Sequence, residues 1–105
     1  MSIEEIKEEL VPMFAANGEH KFYNSIIFLG VKKMIAIEKG DYKGPLPNVE
    51  YLDYHDKFLI LYRREGEDIY LDIAKMFRKA GNKLYRLMLK KEMIEKDLKF
   101  LNVIK

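Results

Sequence analysis

The chain has 105 residues, of which 49% are hydrophobic and 34% are charged, and its formal net charge is +2. This length and this balance predict one globular domain spanning residues 1–105, with enough apolar residues for a core. The absence of cysteine excludes disulfide scaffolds, thiolate metal sites and cysteine nucleophiles. No apolar run approaches the roughly 20 residues that a membrane span needs, so we expect no membrane association.

The residue types that are missing are also informative. Cysteine, glutamine, threonine and tryptophan do not occur, whereas lysine, glutamate, isoleucine and leucine dominate, a compositional trend of hyperthermophilic proteins. The N-terminal segment MSIEEIKEEL is acidic and amphipathic, unlike the basic and then apolar start of a signal peptide. We therefore expect a cytoplasmic protein.

The first predicted helix begins after Ser2, which forms a capping-box pattern with Glu5. Its apolar residues recur at helical spacing: Ile3, Ile6, Leu10, Met13 and Phe14. Pro12 lacks a backbone donor and is expected to kink or end the helix near residues 10–11. Asn17-Gly18 is a typical C-terminal stop.

Residues 20–38 predict a second helix with an apolar side: Tyr23, Ile26, Ile27, Gly30, Met34 and Ile37. Phe28 and Ile35 fall outside this side, so the helix is apolar over most of its circumference. Such a helix is either central in its own fold or packs against a second chain. Gly30 on the packed side predicts the close approach of another backbone.

Residues 39–48 contain two glycines and two prolines and predict a loop, with Asn48 as the N-cap of a third helix. Residues 49–64 favour a helix because their charged residues return at helical spacing, although the apolar run within 57–63 also fits a buried strand. Gly66 is expected to end this helix, and Asp68 to cap the fourth.

The fourth helix carries a long apolar stripe: Ile69, Ile73, Met76, Phe77, Ala80, Leu84, Leu87 and Met88. The stripe keeps its phase through Gly81-Asn82, so we expect this pair inside the helix; the alternative is a break followed by a strand at 83–89. Gly81 lies near Ala74 on the edge of the stripe, where small residues would let another helix cross close by.

The helical spacing of the apolar residues persists to Ile94, Leu98 and Leu101, so one helix over 68–101 would be about 50 Å long. We expect it to bend or break around 90–96, or to overhang and meet a second subunit.

Together these elements predict an all-α fold, a small antiparallel bundle of four or five helices. The alternative is an α+β fold with a small sheet using residues 57–63 and 83–89. The helix order and size loosely resemble the small nucleotide-associated bundles called HEPN domains. The ribonucleases of that family carry an arginine four to six residues before a histidine, and neither His20 nor His55 has one. No residue role is therefore carried over, and a HEPN-like enzyme using His55 is the most remote interpretation.

His55 lies on the apolar side of the third helix and would form a pocket with Tyr51 and Tyr62. The simpler interpretation is a core histidine bonded to a tyrosine hydroxyl or a backbone carbonyl. The catalytic alternative, a general base in that pocket, lacks a nucleophile. Asp53, His55 and Asp56 cannot share one helical face, so we expect no metal site, and without a glycine-rich phosphate loop we expect no cofactor.

Residues 75–91 contain seven basic residues and no acid. Five of them form a stripe on the fourth helix: Lys75, Lys79, Lys83, Arg86 and Lys90. Three interpretations are open: a solvated surface, a partner for the acidic first helix, or a surface that holds nucleic-acid phosphates. Few aromatic residues interleave with the stripe, so nucleic acid is not the favoured partner.

These patterns favour a protein without catalytic activity that self-associates or binds another protein. The nearly all-round apolar second helix and the overlong fourth helix motivate this prediction, with a homodimer or another protein partner as the assembly. A nucleic-acid-binding accessory protein using residues 75–91 is the alternative.

Overall fold

The computed structural model describes the backbone of residues 2–104 and the side chains of residues 2–91. Every regular element in this part of the chain is an α-helix: α1 (Ile3–Lys39), α2 (Pro47–Glu65) and α3 (Asp68–Ile104). The all-α prediction is confirmed. The predicted number of four or five helices is wrong, and so is the alternative sheet, because residues 57–63 lie in α2 and residues 83–89 lie in α3.

The two predicted N-terminal helices form one element that changes direction at Gly18. This residue has φ 79° and ψ 172°, which is not helical, so the expected interruption is present in the backbone. The helix resumes at once instead of passing through a loop. The Asn17 side-chain amide donates to the carbonyl of Met13 at 2.9 Å, which satisfies one carbonyl next to the interruption.

Pro12 lies inside α1, so the helix does not end near residues 10–11, which was one of the two expected outcomes. The capping box predicted at Ser2 is present, and α1 continues from it through Pro12. Leu10, Met13 and Phe14 pack against the core on both sides of the proline. Because most helical stability in proteins comes from such packing, the helix tolerates one missing hydrogen bond.

α1 and α3 run in the same direction along each other, and α2 runs opposite to both. The Lys7 ammonium lies 5.6 Å from the ring centroid of Tyr70 near the start of α1. The Phe22 and Phe77 rings meet at 5.6 Å farther along, and Glu38 pairs with Lys91 at the end of α1. The three helices therefore form an up-down-up bundle.

The core is built around Phe77 of α3. Its ring lies between 5.1 and 6.2 Å from four other aromatic rings: those of Phe22, Tyr51, Tyr54 and Phe58. Leu61 of α2 is also fully buried, whereas Leu52 of the same helix is half exposed. Only Gly66 and Glu67 separate α2 from α3, and Gly66 ends α2 in the left-handed region as expected (φ 73°).

Two glycines mark close contacts between helices. Gly81-Asn82 lies inside α3 as predicted, and a Cβ atom at Gly81 would be 3.4 Å from the carbonyl oxygen of Asn48 in the first turn of α2. Asn48 was the predicted N-cap of this helix. It instead lies inside α2, and the N-cap is Leu46. Gly30 faces the side chain of Leu84, not a backbone as expected.

α3 begins at Asp68, which is its first helical residue and not the residue before the helix. It continues without the break expected around 90–96 and reaches Ile104. Its 37 residues correspond to about 55 Å, in a molecule that measures 60 × 23 × 23 Å. α3 therefore extends past the end of α1, and its contact with a second subunit stays a prediction. The predicted apolar stripe continues in the sequence to Ile94, Leu98 and Leu101, whose side chains lie outside the described residues.

Candidate functional site

An apolar groove of about 420 Å³ opens at the end of the bundle where α1 finishes. We call it the end groove. α1, the loop before α2 and α3 supply its lining: Val31, Met34, Ile35, Ile37, Glu38, Leu46, Leu87, Met88 and Lys91. Aliphatic and methionine side chains form most of this surface, and the charged Glu38 and Lys91 pair with each other across it.

The end groove is open because α2 is shorter than its neighbours. The apolar stripe of α3 is fully buried at Leu84, but Leu87, one turn later, is 39% exposed. α2 begins at Pro47, beside Gly81, so no third helix covers the stripe beyond that level. The sequence placed Leu87 and Met88 on the packed side, and only the length of α2 reveals that they are partly uncovered.

The second half of α1 carries the apolar side chains that fell outside its packed stripe. Phe28 is 63% exposed and Ile35 is 46% exposed. This half of α1 is therefore not the central, enclosed helix that was one of the two interpretations of its composition. The Lys32 ammonium lies 5.4 Å from the Phe28 ring centroid and covers part of that ring. Ile35 lines the end groove and extends its apolar surface outward.

Tyr51 and His55 are both buried on α2, but each is engaged in a separate contact. The Tyr51 hydroxyl donates to the carbonyl oxygen of Ile26 at 2.6 Å, and burial raises its pKa well above the usual range. Nδ1 of His55 lies 2.9 Å from a carboxylate oxygen of Asp56, and no hydrogen bond of His55 to a tyrosine hydroxyl or a carbonyl is among those described. Tyr62 is partly buried, and neither it nor His55 lines the end groove or the smaller groove described next.

The smaller groove, of about 140 Å³, lies between α1, α2 and Phe77. Lys33 and Glu50 form an ion pair of 2.7 Å there. Burial and the negative charge of Glu50 raise the pKa of Tyr54 to about 12, so its phenol stays protonated near neutral pH. The groove thus offers a paired lysine, a paired carboxylate and a neutral phenol, with no hydroxyl or thiol poised as a nucleophile among its lining residues.

The five basic residues of the predicted stripe are all exposed on α3: Lys75, Lys79, Lys83, Arg86 and Lys90. The Lys79 ammonium lies 4.7 Å from the ring centroid of Tyr23 on α1. The acidic first helix is not their partner in this structure. Glu4 instead pairs with Arg64 at 2.7 Å, and Lys7 pairs with Glu65 at 2.9 Å, both contacts joining α1 to the end of α2.

The described residues contain no group of three or more histidine, cysteine, aspartate or glutamate side chains placed to hold a metal ion. None of the helices, over the same residues, is long and apolar enough to cross a membrane.

Comparison of the chain with protein-family models, with curated proteins and with solved structures found no match. The loose resemblance to HEPN domains thus gains no support from any family model. The end groove and the basic residues of α3 are two surfaces that the contacts within the bundle leave exposed.

Proposed function

We propose that this protein is a self-associating helical module whose partner is a second copy of the same chain, bound at the end groove. The observation that carries the proposal is the mismatch in helix length at this end. α1 finishes at Lys39, next to the Glu38–Lys91 ion pair, whereas α3 continues for 13 residues beyond Lys91. That continuation is about 20 Å of helix.

A helical segment of this length is only marginally stable in water without an apolar face to pack against. The sequence continues the apolar phase of α3 into this segment, and the end groove next to it exposes apolar side chains of both α1 and α3. The end groove and this segment belong to the same end of the same chain. Two copies related by a twofold axis would bring this end of each against the same end of the other, which is how most homodimers are built.

The experiment compares two isoleucines of nearly equal exposure. Ile35, which lines the end groove, is 46% exposed, and Ile60, on α2 and outside it, is 48% exposed. Sedimentation equilibrium of the unmodified chain is expected to give twice the 12.5 kDa mass of one chain. Ile35→Glu is expected to shift the mass toward one chain because a carboxylate would be buried in the interface. Ile60→Glu should leave the dimer intact.

Circular dichroism of both variants shows whether the fold survives, since each isoleucine is half exposed in one chain. A monomer at all concentrations for the unmodified chain contradicts the proposal. Equal dissociation by Ile35→Glu and Ile60→Glu would place the interface elsewhere and also reject it.

A further inference from the structure

The basic residues of α3 form one straight line on its surface, which we call the basic line. It consists of Lys75, Lys79, Lys83, Arg86 and Lys90, all exposed. Neighbouring members are three or four residues apart, so their Cβ atoms are separated by about 5–6 Å. From the first to the last member the line measures about 22 Å. No acidic residue occurs anywhere between residues 75 and 91.

The side chains of residues 2–91 do not neutralise the positive charge of the basic line. Among the side chains that the structure describes, none of its five members forms an ion pair, and Lys79 contacts only the neutral ring of Tyr23. Along α3, Asp72 precedes Lys75 by three residues and Glu92 follows Lys90 by two. Glu38 of α1 is paired with Lys91, beside Lys90.

The bundle also fixes the orientation of the line. α3 turns its apolar side, including Ile73, Phe77 and Leu84, into the core, where all three are buried. The basic line is therefore presented on a helix whose apolar side is buried in the core as far as Leu84. A membrane-surface helix needs its apolar face free to enter the lipid, so a lipid surface is not the partner that this arrangement suits.

We propose that the basic line binds the phosphate backbone of duplex nucleic acid without reading its sequence. A row of cations at regular spacing neutralises several phosphates and releases their counterions, which is the main source of sequence-independent affinity. Single-strand binding instead relies on exposed aromatic rings on which bases stack. Tyr23 lies beneath Lys79, and Tyr85 is exposed on another side of α3, so the line offers no such platform.

The expected signature is weak, salt-dependent binding. The dissociation constant for duplex DNA or RNA should be about 1–100 µM at physiological salt and independent of base sequence. Log K should fall with log salt concentration with a slope of about −0.9 for each duplex DNA phosphate that is neutralised. Lys83→Met should therefore reduce that slope by about 1. An exposed residue that merely supported the fold would not change the slope.

The decisive test uses fluorescence anisotropy with a labelled duplex and two triple variants of equal charge. Lys79→Glu, Lys83→Glu and Arg86→Glu together reverse the centre of the line and should weaken binding at least 100-fold. Lys21→Glu, Lys32→Glu and Lys39→Glu together make the same change in net charge on the exposed side of α1. If the line itself is the site, this second variant should lose far less affinity.

Three outcomes would overturn the proposal. The first is that the unmodified chain fails to bind duplex even at low salt. The second is that the two triple variants lose affinity equally, which would indicate attraction by net charge alone. Stronger binding to anionic phosphatidylserine vesicles than to duplex would assign the line to a lipid surface. Circular dichroism of both variants confirms that lost binding is not lost structure, since all six positions are exposed.

Discussion

The Tyr51 hydroxyl donates a hydrogen bond of 2.6 Å to the carbonyl oxygen of Ile26, and this buried bond ties the middle of α2 to the second half of α1. Within α1 an isoleucine carbonyl at this position already accepts from the backbone four residues later. The tyrosine thus adds a second donor to a helical carbonyl. It also places its ring against Phe77, at the centre of the core.

Replacing Tyr51 by phenylalanine removes this bond and keeps the ring. We expect the free energy of unfolding to fall by about 0.5–1.5 kcal/mol, the usual net value of one hydrogen bond. Urea denaturation followed by circular dichroism measures the loss. Tyr62→Phe is the control, because no hydrogen bond of its hydroxyl is among those described. A loss at residue 62 equal to that at residue 51 contradicts the argument.

Alkaline pH should destabilise the fold. Burial raises the pKa of Tyr54 to about 12 and that of Tyr51 still further, whereas an unfolded tyrosine ionises near 10. The hydrogen bond to Glu65 likewise raises the pKa of Lys7 from 10.5 to about 12. Above pH 10 the unfolded chain therefore releases protons that the folded chain retains, so stability falls as pH rises.

Melting temperatures recorded between about pH 8 and about pH 12 check this prediction, with the window set by the same pKa values. The decline should begin near the ionisation of unfolded tyrosine. It should be shallower in Tyr51→Phe, which no longer contains the most strongly perturbed phenol. A melting temperature that stays constant to pH 12 is incompatible with the buried positions of Tyr51 and Tyr54.

Gly18 should not tolerate a side chain. Its φ of 79° and ψ of 172° belong to a region that is accessible almost only to glycine. Gly18→Ala is expected to cost about 1–3 kcal/mol through backbone strain alone, because no atom lies within 4 Å of the position of the new Cβ. Gly40→Ala, in the left-handed region at the end of α1, is the control and should cost less, since L-residues do visit that region. Thermal unfolding distinguishes the two; a greater loss at Gly40 would count against the strain at Gly18.

The two helical glycines that contact other helices should respond in opposite ways to alanine. At Gly81 the new Cβ would be 3.4 Å from the Asn48 carbonyl oxygen, an ordinary contact, so the gain in helix propensity of up to about 1 kcal/mol should dominate. At Gly30 it would clash with the side chain of the fully buried Leu84. Overpacking at Gly30 should cost about 1–3 kcal/mol, which is more than the gain in helix propensity that alanine would bring. The contrast would be confirmed if the denaturation midpoint of Gly81→Ala is higher than that of the unmodified chain and that of Gly30→Ala is lower.

Much of the helical pattern was predictable from the sequence because its signals are local. The capping box at Ser2, the left-handed end of α2 at Gly66 and the continuity of α3 through Gly81 all depend on neighbouring residues. The helix count was wrong because the break at Gly18 takes a single residue. A single glycine with a positive φ can redirect a helix without any loop. Asn17-Gly18 therefore gives the same sequence signal for a redirected helix as for two helices joined by a loop.

The candidate site was less predictable because it depends on relative helix lengths. Leu87 belongs to the same periodic stripe as Leu84, and nothing in its neighbourhood indicates that α2 starts too late to cover it. The exposure of Phe28 and Ile35, in contrast, agrees with their place outside the packed stripe. The partners of Glu4 and Lys7 on α2 join residues about 60 positions apart, and no periodicity reports such contacts.

The connection between α2 and α3 consists only of Gly66 and Glu67, and this brevity has a kinetic consequence. Closing so small a loop costs little chain entropy, and the aromatic contacts that it brings together, such as Phe58 with Tyr70, are close in sequence. We therefore expect the α2–α3 hairpin to form first and α1 to dock onto it afterwards. Native-state hydrogen exchange should then show α1 amides opening at lower free energy than those around Phe58 and Phe77. Equal protection of all three helices would instead indicate that they form together.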